Sequence, residues 1–106
     1  MNEQFAVTLV EKDLHGDYLS VWNYPIVEQP IQALVEKMVM LNTSYQYTKV
    51  KSDWIYVMTI PITTDKVVRE ASLGLICSSF NPEKYHDVLN VLLHSYSCNN
   101  GEPVKI

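Results

Sequence analysis

Phe5-Ala6-Val7-Thr8-Leu9-Val10 is the stretch that decides the fold. Phe5, Val7 and Leu9 alternate with Ala6, Thr8 and Val10, so a strand made from them is apolar enough on both faces to need cover on both. That is the signature of a central strand. Its partner begins after Asp13-Leu14-His15-Gly16-Asp17, a run of turn formers around a glycine able to take positive φ. Tyr18 to Tyr24 then reads as a second strand rich in aromatic residues, which completes a hairpin.

Downstream, Pro25 and Pro30 end the hairpin and open a helix, because a proline in the first helical turn loses no hydrogen bond. Ile31, Leu34, Val35, Met38 and Leu41 recur at helical spacing, with Gln32, Glu36 and Lys37 assigned to the opposite side. Tyr45, Tyr47 and Lys49 alternate with Gln46, Thr48 and Val50, and Lys51-Ser52-Asp53 turns the chain into a β-branched and aromatic run from Trp54 to Ile60. Pro61 to Glu70 reads as a loop and Ala71 to Ser79 as a fifth strand. A last helix starts sharply. Asn81 suits the cap, Pro82 the first helical position and Glu83 the positive end of the dipole, while Phe80 and Tyr85 are spaced for a hydrophobic staple. Tyr85, Val88, Leu89, Leu92 and Tyr96 form its expected buried stripe, and Asn99-Asn100-Gly101 can end it.

Strand, strand, helix, three strands, helix gives an α+β domain with a five-stranded, mostly antiparallel sheet. The first strand is expected at its centre, and the first and fifth are the strands that lack charge. The expected core is Val7, Leu9, Val21, Leu34, Met38, Ile55, Val57, Leu75, Leu89 and Leu92.

The composition limits function. A chain of 106 residues, 47% hydrophobic and 19% charged, has the apolar content for one packed domain. Twelve acids against eight bases give a net charge of -4, and no lysine or arginine cluster follows a phosphate backbone, which argues against nucleic acid and against direct binding to anionic lipid. No window reaches the roughly 18 apolar residues of a membrane span, and Met1-Asn2-Glu3-Gln4 lacks the basic start of a secretory leader. A cytoplasmic protein without direct membrane insertion is expected. Cys77 and Cys98 read as small packing residues in a reducing compartment rather than a disulfide or a metal pair. His86 and His94 are eight residues apart on one helix, about 12 Å along its axis, too far to share an ion, and His15 sits in a turn. No metal or cofactor is expected. Cys77 with His86 would be a nucleophile and base only if the thiol were accessible, and no third carboxylate or glycine-rich oxyanion loop stands nearby. The aromatic set Trp22, Tyr24, Tyr45, Tyr47, Trp54 and Tyr56 is explained by cross-strand packing, with a protein interface as the alternative at an exposed edge.

Two segments resemble a known family: Leu9-Val10-Glu11-Lys12-Asp13-Leu14-His15-Gly16-Asp17-Tyr18-Leu19-Ser20-Val21-Trp22-Asn23-Tyr24-Pro25, and Phe80-Asn81-Pro82-Glu83-Lys84-Tyr85 with Gly101-Glu102-Pro103-Val104-Lys105. From about Val7 to Ile106 the chain resembles the N-terminal longin-like (uDENN) module of small DENN-domain proteins, a family that regulates Rab GTPases, in the subgroup linked to late endosomes. The resemblance implies a longin/profilin-like fold with strand order 2-1-5-4-3. It implies one longin-like domain over residues 1-106, with the C-terminal DENN lobe absent and the last longin helix truncated. It further implies a protein-interaction module that contributes to Rab binding and nucleotide exchange in the full-length protein, cytoplasmic and peripheral to late endosomal membranes, and not itself an enzyme.

By analogy with longin-type platforms, the candidate partner interface is the outward side of the first helix, at Gln32, Glu36, Lys37 and Met40. The sheet face under the helix from Pro82 would carry one helix where the family has two, so homodimerisation is expected. The alternative is a free-standing longin or roadblock-like dimeric scaffold that serves as a GTPase platform.

Overall fold

The computed structural model describes residues 5–24, 29–41, 43–63 and 67–98. Five strands, β1 (Ala6–Asp13), β2 (Tyr18–Tyr24), β3 (Tyr45–Val50), β4 (Asp53–Pro61) and β5 (Val68–Cys77), and two helices, α1 (Gln29–Met40) and α2 (Pro82–Cys98), follow one another in the expected sequence. The sheet order is β2-β1-β5-β4-β3, and every neighbouring pair is antiparallel. This is an α+β fold with longin-like strand order.

Alternation along the strands sorts side chains onto two faces. Leu9, Tyr56, Met58, Leu73 and Leu75 meet Tyr85, Leu89, Leu93 and Tyr96 of α2. Val10, Ile55, Val57 and Ile76 meet Val35, Met38 and Val39 of α1. Each helix therefore covers its own side, and β1 and β5, apolar on both faces, sit inside the sheet because either edge would leave one face wet.

Gly74 sets how closely α1 approaches. A Cβ there would stand 2.9 Å from Thr8 Cγ2 and 3.1 Å from Val35 Cγ1, both on stiff β-branched side chains. Glycine lets Val35 rest on the sheet with no exposed surface. The α1 end is tied down too, since the Met38 carbonyl in its last turn accepts from Gln46 Nε2 as well as from the Leu41 N–H at 3.2 Å. The α2 start forms as its sequence dictates: Asn81 Oδ1 accepts from the Lys84 N–H at 3.2 Å.

Several details differ from the sequence reading. Both central strands run into charge at one end, where β1 adds Glu11, Lys12 and Asp13 and β5 begins at Val68 rather than Ala71. The two charged ends meet each other, with Lys12 opposite Glu70, so the sheet continues beyond the core as a solvated ladder. Part of the expected loop after Pro61 is also built in: Ile62 is buried and its N–H donates to the Arg69 carbonyl at 2.8 Å. On α2 the buried line is Tyr85, Leu89, Leu93 and Tyr96, with Leu92 half-buried and Val88 exposed. Steps of four, four and three keep that line straight, whereas Val88 lies roughly a quarter-turn away. On α1, Leu41 is exposed and Ile31 and Leu34 are only half-buried.

Of the expected core, Leu9, Met38, Ile55, Val57, Leu75 and Leu89 are buried and Val7, Leu34 and Leu92 half-buried. The Val21 side chain, like those of Trp22, Tyr24 and Cys98, lies outside the described part, as does the expected helix end at Asn99-Asn100-Gly101.

Candidate functional site

Two surfaces combine exposure with a fixed scaffold. One is the outer side of α1. Glu36 is half-buried, Lys37 exposed and Met40 56% exposed, continued by Leu41 at 68%. Two neighbouring apolar side chains in water beside a charged pair make a plausible contact patch. Gln32 is not on that side. It is buried against the sheet, its Oε1 accepting from Thr8 Oγ1 at 3.3 Å and its Nε2 donating to Glu36 Oε1 at 3.3 Å. The cause is Gly74: with Val35 pressed onto it, the buried line runs Gln32, Val35, Met38, Val39, and Gln32 is one turn from the closest approach. A polar residue at that spacing is expected outside on pattern alone, and only Thr8, facing it from β1, makes burial affordable.

The second surface is an aromatic corner where β3 and β4 meet the start of α2. Tyr45, Tyr47 and Trp54 share the α2 side of the sheet, and Phe80 closes over them with its ring 4.3 Å from Trp54 and 5.9 Å from Tyr47. The Tyr85 ring packs on Tyr56 and Phe5, and Phe80 anchors to the sheet through Tyr47 and Trp54. Hydroxyls fix the corner. Tyr56 Oη donates to the Ser79 carbonyl at 2.8 Å and accepts from the Asn81 N–H at 3.0 Å, and Tyr45 Oη donates to the Pro82 carbonyl at 2.6 Å. Burial, with smaller contributions from Tyr56 and Tyr47, pushes the Tyr45 phenol up to about 12. At the far end of α2, Tyr96 donates to the Glu11 carboxylate.

Sequence comparison bears on what these surfaces serve. No protein-family model matches the chain. DENN domain-containing protein 10 of Homo sapiens is 28% identical over 110 residues, covering 95% of this chain and 30% of that protein. The zebrafish (Danio rerio) protein of the same name is 30% identical, covering 95% of this chain and 31% of its own length. That of Dictyostelium discoideum is 24% identical, over 86% of this chain and 31% of the relative. Over nearly its whole length the chain is similar to these DENN domain-containing proteins. It spans about a third of the length of these relatives.

The remaining sequence candidates make local contacts. His86 stands edge-on to Tyr45 at 4.9 Å, with Nδ1 3.5 Å from Asp87 Oδ1, and His94 Nδ1 lies 2.8 Å from the Asn90 carbonyl. Among the described residues no three His, Cys, Asp or Glu side chains gather closely enough to hold a metal. Nor is any helix there long and apolar enough to cross a membrane. Cys77 is buried and its thiol donates to the Ser79 carbonyl at 3.6 Å. The accessible nucleophile that a cysteine hydrolase needs is therefore not present at Cys77.

Proposed function

We propose that this domain is a protein-interaction module of a DENN-type regulator of Rab-family GTPases, acting in the cytoplasm at the surface of late endosomal membranes. The observation that supports it best is the conjunction of longin-like strand order with relationship to DENN proteins over 95% of the chain. A protein that binds the nucleotide-free GTPase more tightly than the loaded form lowers nucleotide affinity by the same factor, because coupling between two ligands is reciprocal. Exchange promoted in this way needs complementary surface and no nucleophile or acid–base pair. In the full-length protein the module would supply part of that surface beside a DENN lobe. On this chain the contact falls to Glu36, Lys37 and Met40 of α1, with Leu41 added by its exposure.

Homodimerisation belongs to the same proposal. The sheet is open and ends in β2 and β3, each with one side unpaired within the described sheet, and such edges invite pairing with a second copy. The test is a pulldown from cell extract with nucleotide-free GTPases, followed by the Lys37→Glu, Met40→Lys double variant, both at exposed positions, against the GTPase recovered. Weakened binding at an unchanged melting temperature supports the α1 surface. Normal binding by the double variant would move the contact elsewhere, and no captured GTPase would overturn the Rab reading.

A further inference from the structure

Beside the aromatic corner lies an open cavity of about 380 Å³, lined by Tyr45, Tyr47, Pro82, Glu83, His86 and Asp87. Its wall is two tyrosine rings meeting at 52°, their centroids 5.9 Å apart, and the Tyr45 ring is held in place by its hydroxyl bond to Pro82. Its rim is Glu83 and Asp87, one helical turn apart on α2. Like charges at that spacing repel, so the pair is left with negative potential directed to the same side of the helix. None of the six lining residues is a lysine or arginine; the basic group among them is His86, whose Nδ1 lies 3.5 Å from Asp87 Oδ1, while Lys49 and Lys84 stand over the rings of Trp54 and Tyr85, at 6.0 and 5.4 Å.

We propose that this cavity is a docking site for an arginine side chain presented by a partner protein. A guanidinium matches it in three ways. It is planar and stacks on an aromatic face, it carries a permanent positive charge to set against Glu83 and Asp87 where His86 offers only an imidazole, and its fork of N–H donors can bridge carboxylates that a compact ammonium would meet one at a time. The volume is in the range of side-chain and small-ligand sites. The site does not depend on the GTPase reading, since it concerns any partner that offers such a residue.

The experiment titrates the 106-residue chain, labelled with 15N, with three capped tripeptides: glycine-arginine-glycine, glycine-lysine-glycine, and glycine-citrulline-glycine, in which citrulline keeps the shape of arginine without its charge. The expected result is saturable amide shifts confined to the segments around Tyr45, Tyr47 and Glu83 to Asp87 with the arginine peptide, weaker shifts with lysine and none with citrulline. The Glu83→Gln, Asp87→Asn variant, with an otherwise unchanged spectrum, should bind the arginine peptide about five- to tenfold more weakly. Shifts spread over the surface, equal binding of the citrulline or lysine peptide, or full binding by the double variant would each overturn the proposal.

Discussion

The two faces of the sheet hold their helices by different means. Under α1 the contact is aliphatic, Val10, Ile55, Val57 and Ile76 against Val35, Met38 and Val39, with Thr8 and Gln32 as its buried polar pair. Under α2 it is built from tyrosines whose rings pack and whose hydroxyls reach backbone or carboxylate: Tyr45 to Pro82, Tyr56 to Ser79 and Asn81, Tyr96 to Glu11. Aliphatic packing is non-directional and tolerates small shifts. Hydroxyl bonds at both ends of α2 specify one position, and the aromatic surplus that makes them spills past the helix into the exposed corner. The α2 side thus has the more directional contacts and carries the exposed aromatic corner.

That contrast has measurable consequences. Leu89→Ala empties the fully buried centre of the α2 face and should cost about 2 to 5 kcal/mol in chemical denaturation; a loss below about 0.5 kcal/mol would mean that this face is not closed. Gly74→Ala tests the α1 side by adding one methyl group where 2.9 Å is available, and should cost about 1 to 3 kcal/mol as Thr8 and Val35 are pushed apart. Neutrality there would show that α1 can lift off without penalty.

Smaller effects probe the hydroxyls. Tyr56→Phe keeps the ring and removes both bonds to the start of α2; because Asn81 is exposed and water can take over, the expected cost is about 0.5 to 1.5 kcal/mol. Amide exchange should accelerate at Asn81 to Tyr85 and stay unchanged in α1. Tyr45→Phe should matter least at neutral pH. The Tyr45 phenol titrates near 10 when unfolded and near 12 when folded, so the unfolded chain releases its proton first. The stability from this shift is complete below pH 10 and disappears as pH rises toward 12. Thermal melts of wild type should therefore fall more steeply over that interval than those of the phenylalanine variant, and parallel curves would show that the phenol is not shielded.

Much of the architecture could be read beforehand because each element carried its own signal. Asn81-Pro82-Glu83 marks a helix start by chemistry that no tertiary contact needs to supply, and the double-sided apolarity read from Phe5 to Val10 is satisfied inside the sheet from Ala6 on, Phe5 itself standing exposed before β1. What could not be read depends on contacts between elements. Gln32 looked outward until Gly74 drew α1 down and Thr8 gave the amide a partner. Val88 and Leu93, about 140° apart around the helix, exchange places because periodicity alone does not choose which flank of an apolar stripe faces the sheet. The cavity beside Tyr45 had no linear signature at all, since its wall comes from β3 and its rim from a helix nearly 40 residues later, at a separation of 37 for the Tyr45–Pro82 bond.

The proposed binding of a GTPase is tested most directly by the affinity of the purified chain for purified Rab GTPases, each presented nucleotide-free and loaded, in biolayer interferometry. The expected result is binding of at least one Rab that is about tenfold or more tighter in the nucleotide-free state, the preference that coupled exchange requires. Binding indifferent to nucleotide across the panel, or no binding to any Rab by a chain that melts cooperatively, would contradict it.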